Sequence, residues 1–90
     1  MKSSAAKAVT NFRDQGAIET WIASYIARVI EKDAGELDEN ATFESFGLDS
    51  VSVVGMTGDL GQWLEREIDP VVVYDHPSIR GLAAYLAASR

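Results

Sequence analysis

The segment IETWIASYIARVI, residues 18–30, carries the clearest structural signal in this chain of 90 residues. Its apolar residues recur at intervals of three and four, the spacing that brings side chains to one face of an α-helix. The pattern predicts an amphipathic first helix that begins near Gly16 and ends at Gly35, a residue type common at helix ends. An aromatic stripe at this spacing is more typical of core packing than of a ligand cage. The stripe consists of Ile18, Trp21, Ile22, Tyr25, Ile26, Val29 and Ile30.

Two further helices are predicted downstream. The second begins at Ser50, with an apolar stripe made of Val51, Val54, Leu60, Trp63 and Leu64 and widened by Val53 and Met56. The last follows Pro77, with Ser78 as its N-cap and an inward face made of Ile79, Leu82, Ala83, Leu86 and Ala87.

Residues 71–74 (VVVY) have strand propensity, but the chain offers no second strand to pair with them. They are therefore expected to form a short turn of helix or an extended connector. The predicted fold class is all-α: a small four-helix bundle of three main helices and a short third helix.

Glycines recur at three-residue spacing in the second helix, at Gly55, Gly58 and Gly61. Each costs about 0.8–1 kcal/mol relative to alanine in a helix interior, so something must offset the loss. Packing is one explanation, with a close approach of a neighbour at Gly55. A smooth face against which a partner packs is the other, and the sequence leaves both open.

Composition and charge limit the function classes. With 47% apolar and 24% charged residues the chain is expected to fold as one small domain over residues 16–90, after a flexible N-terminal arm at residues 1–15. The net charge of −6 disfavours nucleic-acid binding. Twelve of the acids lie between Glu31 and Asp75, with two bases, and an acidic surface suits basic partner proteins.

No apolar run is long enough for a membrane span and no secretory signal is evident, so a cytoplasmic protein is expected.

Few residues suit catalysis. The chain has no cysteine, and its single histidine, His76, at a predicted helix entrance, is more typical of a solvent-facing or capping imidazole than of a catalytic base. No metal site is predicted. Ser50 lacks the flanking glycines of a nucleophile elbow. It does lie at the start of a predicted helix, where unpaired amides and the helix dipole favour an attached phosphate by about 0.3–1 kcal/mol. Asp49 either caps this helix or helps to position a metal-bound phosphate donor.

The segment FESFGLDSV, residues 43–51, followed by VYDHPSI, residues 73–79, resembles the acyl carrier protein family of fatty-acid and polyketide synthesis. The resemblance spans roughly residues 18–87. It implies a four-helix bundle in which the serine of a Gly-x-Asp-Ser motif, here Ser50, receives 4'-phosphopantetheine from coenzyme A through a dedicated transferase. Acyl groups would be carried as thioesters on the thiol of this arm, so the chain would be a non-catalytic carrier.

The resemblance also implies partners. These are a phosphopantetheinyl transferase, an acyl-loading enzyme (an acyltransferase or an acyl-adenylate ligase) and a ketosynthase or other synthase domains. The chain is expected to be a monomer, and its partners would recognise Val51, Val54 and Gly58 on the second helix. The second helix departs from the family pattern because it is rich in glycine and has few acids, which favours hydrophobic recognition. Leu48 favours acyl over aminoacyl cargo, and residues 74–77 are more similar to polyketide than to primary fatty-acid carriers.

Three alternatives stay open at this point. One is a primary fatty-acid carrier, and the second is a small helical adaptor whose acidic face binds a basic partner without covalent chemistry. The third is a small hydrolase that uses Ser50 and His76.

Overall fold

The computed structural model describes residues 14–89, which form a small helical bundle. Helix α1 spans Gln15–Ile30, α2 spans Ser50–Leu64, α3 spans Val71–Asp75 and α4 spans Ile79–Ala88. Two short 3₁₀ turns, Ala34–Glu36 and Glu44–Phe46, lie in the long connection between α1 and α2. The described residues contain no strand, only an isolated antiparallel bridge between Thr42 and Ser78. The predicted all-α class and the four-helix bundle are therefore confirmed, including a helical rather than extended third element.

Polar side chains fix where three of the helices begin. The Asp14 carboxylate accepts the Ala17 N–H at 2.9 Å, and the Ser78 hydroxyl accepts the Gly81 N–H at 3.0 Å. Asp49 does the same for α2. Such caps satisfy amide groups that have no partner inside the helix. The predicted N-cap role of Ser78 is confirmed.

The core lies where α1, α2 and α4 meet, and α3 and the long loop close its open side. Three isoleucines of α1 and two leucines of α4 are almost completely inaccessible to solvent. Phe43 from the loop and Val73 from α3 complete it. The fully buried side chains of the three long helices include Ile18, Ile22, Ile26, Met56, Leu60, Ile79, Leu82 and Leu86.

The end of α1 and the inward face of α2 differ from the sequence prediction. The chain leaves α1 at Glu31, which adopts the left-handed conformation with φ of 61°. Gly35 lies instead inside the following 3₁₀ turn, which Asp33 caps through the Gly35 N–H. In α2, the predicted inward residues Val51 and Val54 are exposed, and the buried face consists of Val53, Met56, Thr57, Leu60 and Gly61.

Close packing explains one of the three glycines of α2. This glycine is Gly61, whereas the sequence pointed to Gly55. A β-carbon on Gly61 would lie 2.7 Å from the Arg66 carbonyl oxygen, closer than such atoms approach. A β-carbon on Gly55 would make an ordinary 3.5 Å contact with the Tyr25 hydroxyl, and one on Gly58 would meet open space. The predicted close approach is therefore real but lies at Gly61, where the chain folds back after α2.

The predicted flexible arm, residues 1–15, falls mostly on residues 1–13, which lie outside the described part of the chain. Within residues 14–89, none of the helices has the length and apolar character that a membrane crossing requires.

Candidate functional site

The loop that leads into α2 is held against the start of α4. The backbone N–H of Phe43 donates to the Pro77 carbonyl oxygen at 2.8 Å, and the Phe43 ring is buried in the core. Gly47 then turns the chain with φ of 86°, a left-handed conformation that favours glycine. This loop delivers Asp49 and Ser50 to a fixed position at one end of the bundle.

Asp49 is the N-cap of α2. Its carboxylate accepts the Ser52 N–H at 2.8 Å. The hydrogen bond from the Ser52 backbone holds the pKa of Asp49 below its usual value of 3.8, because it stabilises the charged form. The capping alternative for Asp49 is therefore the one that the geometry supports directly. One amide of the first turn, the Ser52 N–H, is therefore already bonded to the Asp49 carboxylate.

Ser50 is the first residue of α2 and its side chain is exposed. It borders a groove of about 490 Å³ between the α1–α2 loop, α2 and α3. This volume lies within the range of small-molecule sites. The lining of the groove is mainly apolar, with Phe43, Leu48, Val53, Val73, Tyr74 and Pro77, while Thr42, Glu44, Asp49 and Ser50 add polar groups.

The other residues singled out from the sequence lie along the solvent side of α2. Val51 is 78% exposed and Val54 is 53% exposed. Gly58 is also exposed, farther along the same helix. These positions are accessible to a protein that approaches Ser50.

His76 does not join Ser50. It is the C-cap of α3, and its ring stacks on the ring of Tyr85 in α4 with 4.4 Å between centroids. Its backbone N–H donates to the Val72 carbonyl. His76 is absent from the described residues that line the groove at Ser50. This arrangement provides no support for a hydrolase that uses the pair.

Sequence reasoning missed Tyr74 as a residue of this site. Tyr74 is 60% exposed and lines the groove beside Ser50. The sequence left a short turn of helix and an extended connector open for residues 71–74, and which of these residues face solvent follows only from the observed helix.

Comparisons with known proteins agree with this architecture. Residues 20–86 match the family model described as a phosphopantetheine attachment site. The chain is 37% identical over 71 residues to the acyl carrier protein TtuC of Teredinibacter turnerae, a match that covers 79% of this chain and 82% of that protein. It is 34% identical over 68 residues to a phenolphthiocerol/phthiocerol polyketide synthase of Mycobacterium tuberculosis, a match that covers 76% of this chain and 4% of the synthase polypeptide.

Solved structures give the same result. A free-standing peptidyl carrier protein from an uncharacterized secondary metabolic pathway of Acinetobacter baumannii has a TM-score of 0.79 and 29% identity, over 84% of this chain and 95% of that chain. An acyl carrier protein of Anabaena with a variant phosphopantetheinylation-site sequence has a TM-score of 0.79 and 27% identity, over 83% of this chain and 85% of that chain.

A small helical bundle with an exposed serine at the start of α2 is thus the architecture of a carrier protein. The chain belongs to the phosphopantetheine-attachment-site family, and it is a carrier of the polyketide-synthase type with 4'-phosphopantetheine as its cofactor. The resemblance carried by residues 43–51 and 73–79 is confirmed.

Proposed function

We propose that Ser50 is the attachment point of 4'-phosphopantetheine and that the chain presents acyl groups, bound as thioesters, to the enzymes of a polyketide or related pathway. The observation that carries the proposal is the exposed Ser50 hydroxyl at the start of α2, beside a groove of about 490 Å³. An exposed hydroxyl on a rigid helix start gives a transferase access and gives the attached arm a fixed origin.

The residues around Ser50 fit such a group. When bound, it supplies the thiol that this cysteine-free chain lacks. In the transfer, the Ser50 oxygen would form a bond to the phosphorus of coenzyme A that bears the pantetheine. The bond from that phosphorus to the oxygen of adenosine 3',5'-bisphosphate would break, and the Ser50 hydroxyl proton would be released to solvent. Asp49 holds the first turn of α2 in place through its hydrogen bond from the Ser52 N–H, and its carboxylate would be the group near Ser50 that helps to position a metal-bound phosphate donor.

The proposed partners act in sequence on this site. A phosphopantetheinyl transferase modifies Ser50, an acyltransferase or acyl-adenylate ligase loads the arm, and a ketosynthase or other synthase domain uses the cargo. Val51, Val54 and Gly58 form part of the recognition surface on α2. The chain itself is a non-catalytic, monomeric carrier that acts in the cytoplasm.

Intact-mass measurement tests the attachment site. After incubation with coenzyme A and a broad-specificity phosphopantetheinyl transferase, the chain should gain the mass of one phosphopantetheine group. Ser50→Ala should gain none, and the matched variant Ser52→Ala should gain one. No gain of mass in the unmodified chain would favour the non-covalent acidic adaptor. Loss of the mass gain in Ser52→Ala would assign the attachment to Ser52 instead of Ser50.

The pathway needs a second experiment. Residues 74–77 favour polyketide over primary fatty-acid carriers, and Leu48 favours acyl over aminoacyl cargo. The experiment measures how much of each acyl group is loaded on the arm when short polyketide-type and fatty-acyl groups compete, with loading enzymes of both pathways. Preferential loading of the polyketide-type groups is expected. Preferential loading of long fatty-acyl chains would favour the fatty-acid carrier.

A further inference from the structure

The groove beside Ser50 opens onto the hydrophobic core. Phe43, Val53 and Val73 line it and are only 3%, 4% and 2% exposed, so they form its base rather than its rim. Its volume of about 490 Å³ suits a small molecule. An apolar group that entered the groove would leave water and contact core side chains. An acyl chain carried by an arm on Ser50 has this chemistry.

Two carboxylates lie at the same groove. Glu44 is exposed, and its backbone is fixed at the start of the second 3₁₀ turn, where its carbonyl oxygen accepts the Gly47 N–H at 2.9 Å. Within the described part of the chain the Glu44 carboxylate makes no ion pair or hydrogen bond. The hydrogen bond from the Ser52 N–H holds the pKa of Asp49 below its usual 3.8, so Asp49 is charged at neutral pH. The groove therefore carries negative charge next to Ser50.

The described residues place no positive charge at this groove. They include four Lys and Arg residues and one His, and none of these lines it. Arg66 donates to the end of α4, and Arg80 pairs with Glu39 at 3.6 Å. Arg28 lies over an aromatic ring of its own helix, 5.5 Å from the ring centroid. A carboxylate that entered the groove would find no counter-ion among these residues.

We propose, on the basis of the proposed function, that this groove receives the acyl group of the arm on Ser50, and that Glu44 and Asp49 select uncharged acyl groups over those that end in a free carboxylate. An uncharged acyl chain buries apolar area without any electrostatic repulsion. A terminal carboxylate would lose water and would lie near two like charges and the phosphodiester of the arm. Acyl groups that end in a carboxylate therefore stay in solvent.

A matched pair of acyl groups tests this preference. A broad-specificity phosphopantetheinyl transferase attaches the acylated arm to the full chain from the corresponding acyl coenzyme A. One acyl group is adipyl, which ends in a carboxylate, and the other is its methyl ester, which has the same chain and no charge. Two-dimensional NMR measures how far the Val53, Val73 and Tyr74 amide resonances shift relative to the chain with an unacylated arm. The methyl ester should give shifts at least about threefold larger than adipyl.

Point variants assign the preference to a residue. Glu44→Gln should raise the adipyl shifts at least about twofold, because it removes one like charge and keeps a side chain of similar size. Glu36→Gln is the matched control and should leave the shifts unchanged, because Glu36 is an exposed acid of the same loop that does not line the groove.

Ionic strength gives a measurement that needs no variant and stays valid if Glu44→Gln perturbs the fold in circular dichroism. Raising sodium chloride from about 50 mM to about 500 mM screens exposed charges, so the adipyl shifts should increase while those of the methyl ester stay constant.

Equal shifts for the two acyl groups, adipyl shifts independent of salt, or equal effects of the Glu44 and Glu36 variants would overturn the charge preference. Absence of shifts with both acyl groups would show that the groove does not receive the cargo. Each of these results comes from a chain that has gained the arm, so each leaves Ser50 as the attachment site. Failure of the unmodified chain to gain mass would instead refute the proposed function.

Discussion

The backbone N–H of Phe43 donates to the carbonyl oxygen of Pro77 across 2.8 Å. This hydrogen bond joins the loop before α2 to the loop before α4, and with it the two sequence segments that resemble acyl carrier proteins. The adjacent bridge between Thr42 and Ser78 extends the contact. The position of Ser50 therefore depends on residues far along the chain as well as on its own helix.

Phe43→Ala tests this anchoring. The ring is 3% exposed, so truncation should lower the free energy of unfolding by about 3–5 kcal/mol, through lost burial and the cavity left behind. Phe46→Ala is the matched control, and it should cost less because Phe46 is only partly buried. Urea denaturation followed by circular dichroism measures both. Equal losses would show that the loop is not held chiefly by Phe43.

Gly61→Ala and Gly58→Ala form a pair that separates helix propensity from packing. At Gly61 the added methyl group meets the Arg66 carbonyl oxygen, so stability should fall by about 1–3 kcal/mol. At Gly58 the methyl group enters open space, and stability should rise by about 0.5–1 kcal/mol. Thermal and urea unfolding check the signs. A stabilising Gly61→Ala would contradict the close approach.

Arg66 connects the loop after α2 to the end of α4. Its guanidinium donates to the Leu86 carbonyl oxygen at 3.3 Å and to the Ser89 hydroxyl at 3.0 Å. Arg66→Ala should destabilise the bundle by about 1 kcal/mol, because the Leu86 carbonyl and the Ser89 hydroxyl at the helix end lose their donor.

Arg80→Ala is the control for Arg66→Ala, because Arg80 makes an exposed 3.6 Å ion pair with Glu39. Such pairs contribute little, so the change should stay within about 0.5 kcal/mol. Hydrogen exchange at the end of α4 should rise only in the Arg66 variant. Increased exchange in both variants would assign the effect to charge.

The Asp49 cap makes stability depend on pH in the acid range. Its pKa is lower in the folded chain than the usual 3.8, so its contribution is fully present above that value and is lost as pH falls through the folded pKa. Asp49→Asn keeps an oxygen acceptor and does not titrate. The stability difference between the two proteins should be constant near neutral pH and should shrink below pH 3.8. Urea midpoints from neutral to acid pH measure it, and a difference independent of pH would refute the effect.

The fold was largely predictable where apolar and polar residues contrast clearly. In α1 and α4 the periodic positions and the buried ones coincide for Ile18, Ile22, Ile26, Leu82 and Leu86. In α2 they do not, because nearly every residue from Ser50 to Leu64 is apolar or small and uncharged. Periodicity cannot select one face of such a helix, and contacts with the other helices determine which side is buried.

The candidate site was also only partly predictable from the sequence. Sequence alone pointed to Ser50 and Asp49, because a short motif fixes residue types at fixed spacing along the chain. It could not place Tyr74 beside Ser50, since α3 is too short for periodicity to reveal its conformation.

The sequence by itself determined the helical class, the inward faces of α1 and α4 except at Val29, which was predicted to face inward and is exposed, and the serine at the start of α2, because these features depend on neighbours within a few residues. Only the tertiary structure decided which side of α2 is buried, that Gly61 must lack a side chain, and that Tyr74 borders the groove at Ser50. Those features arise from contacts between segments distant in the chain, where steric fit rather than local pattern selects the arrangement.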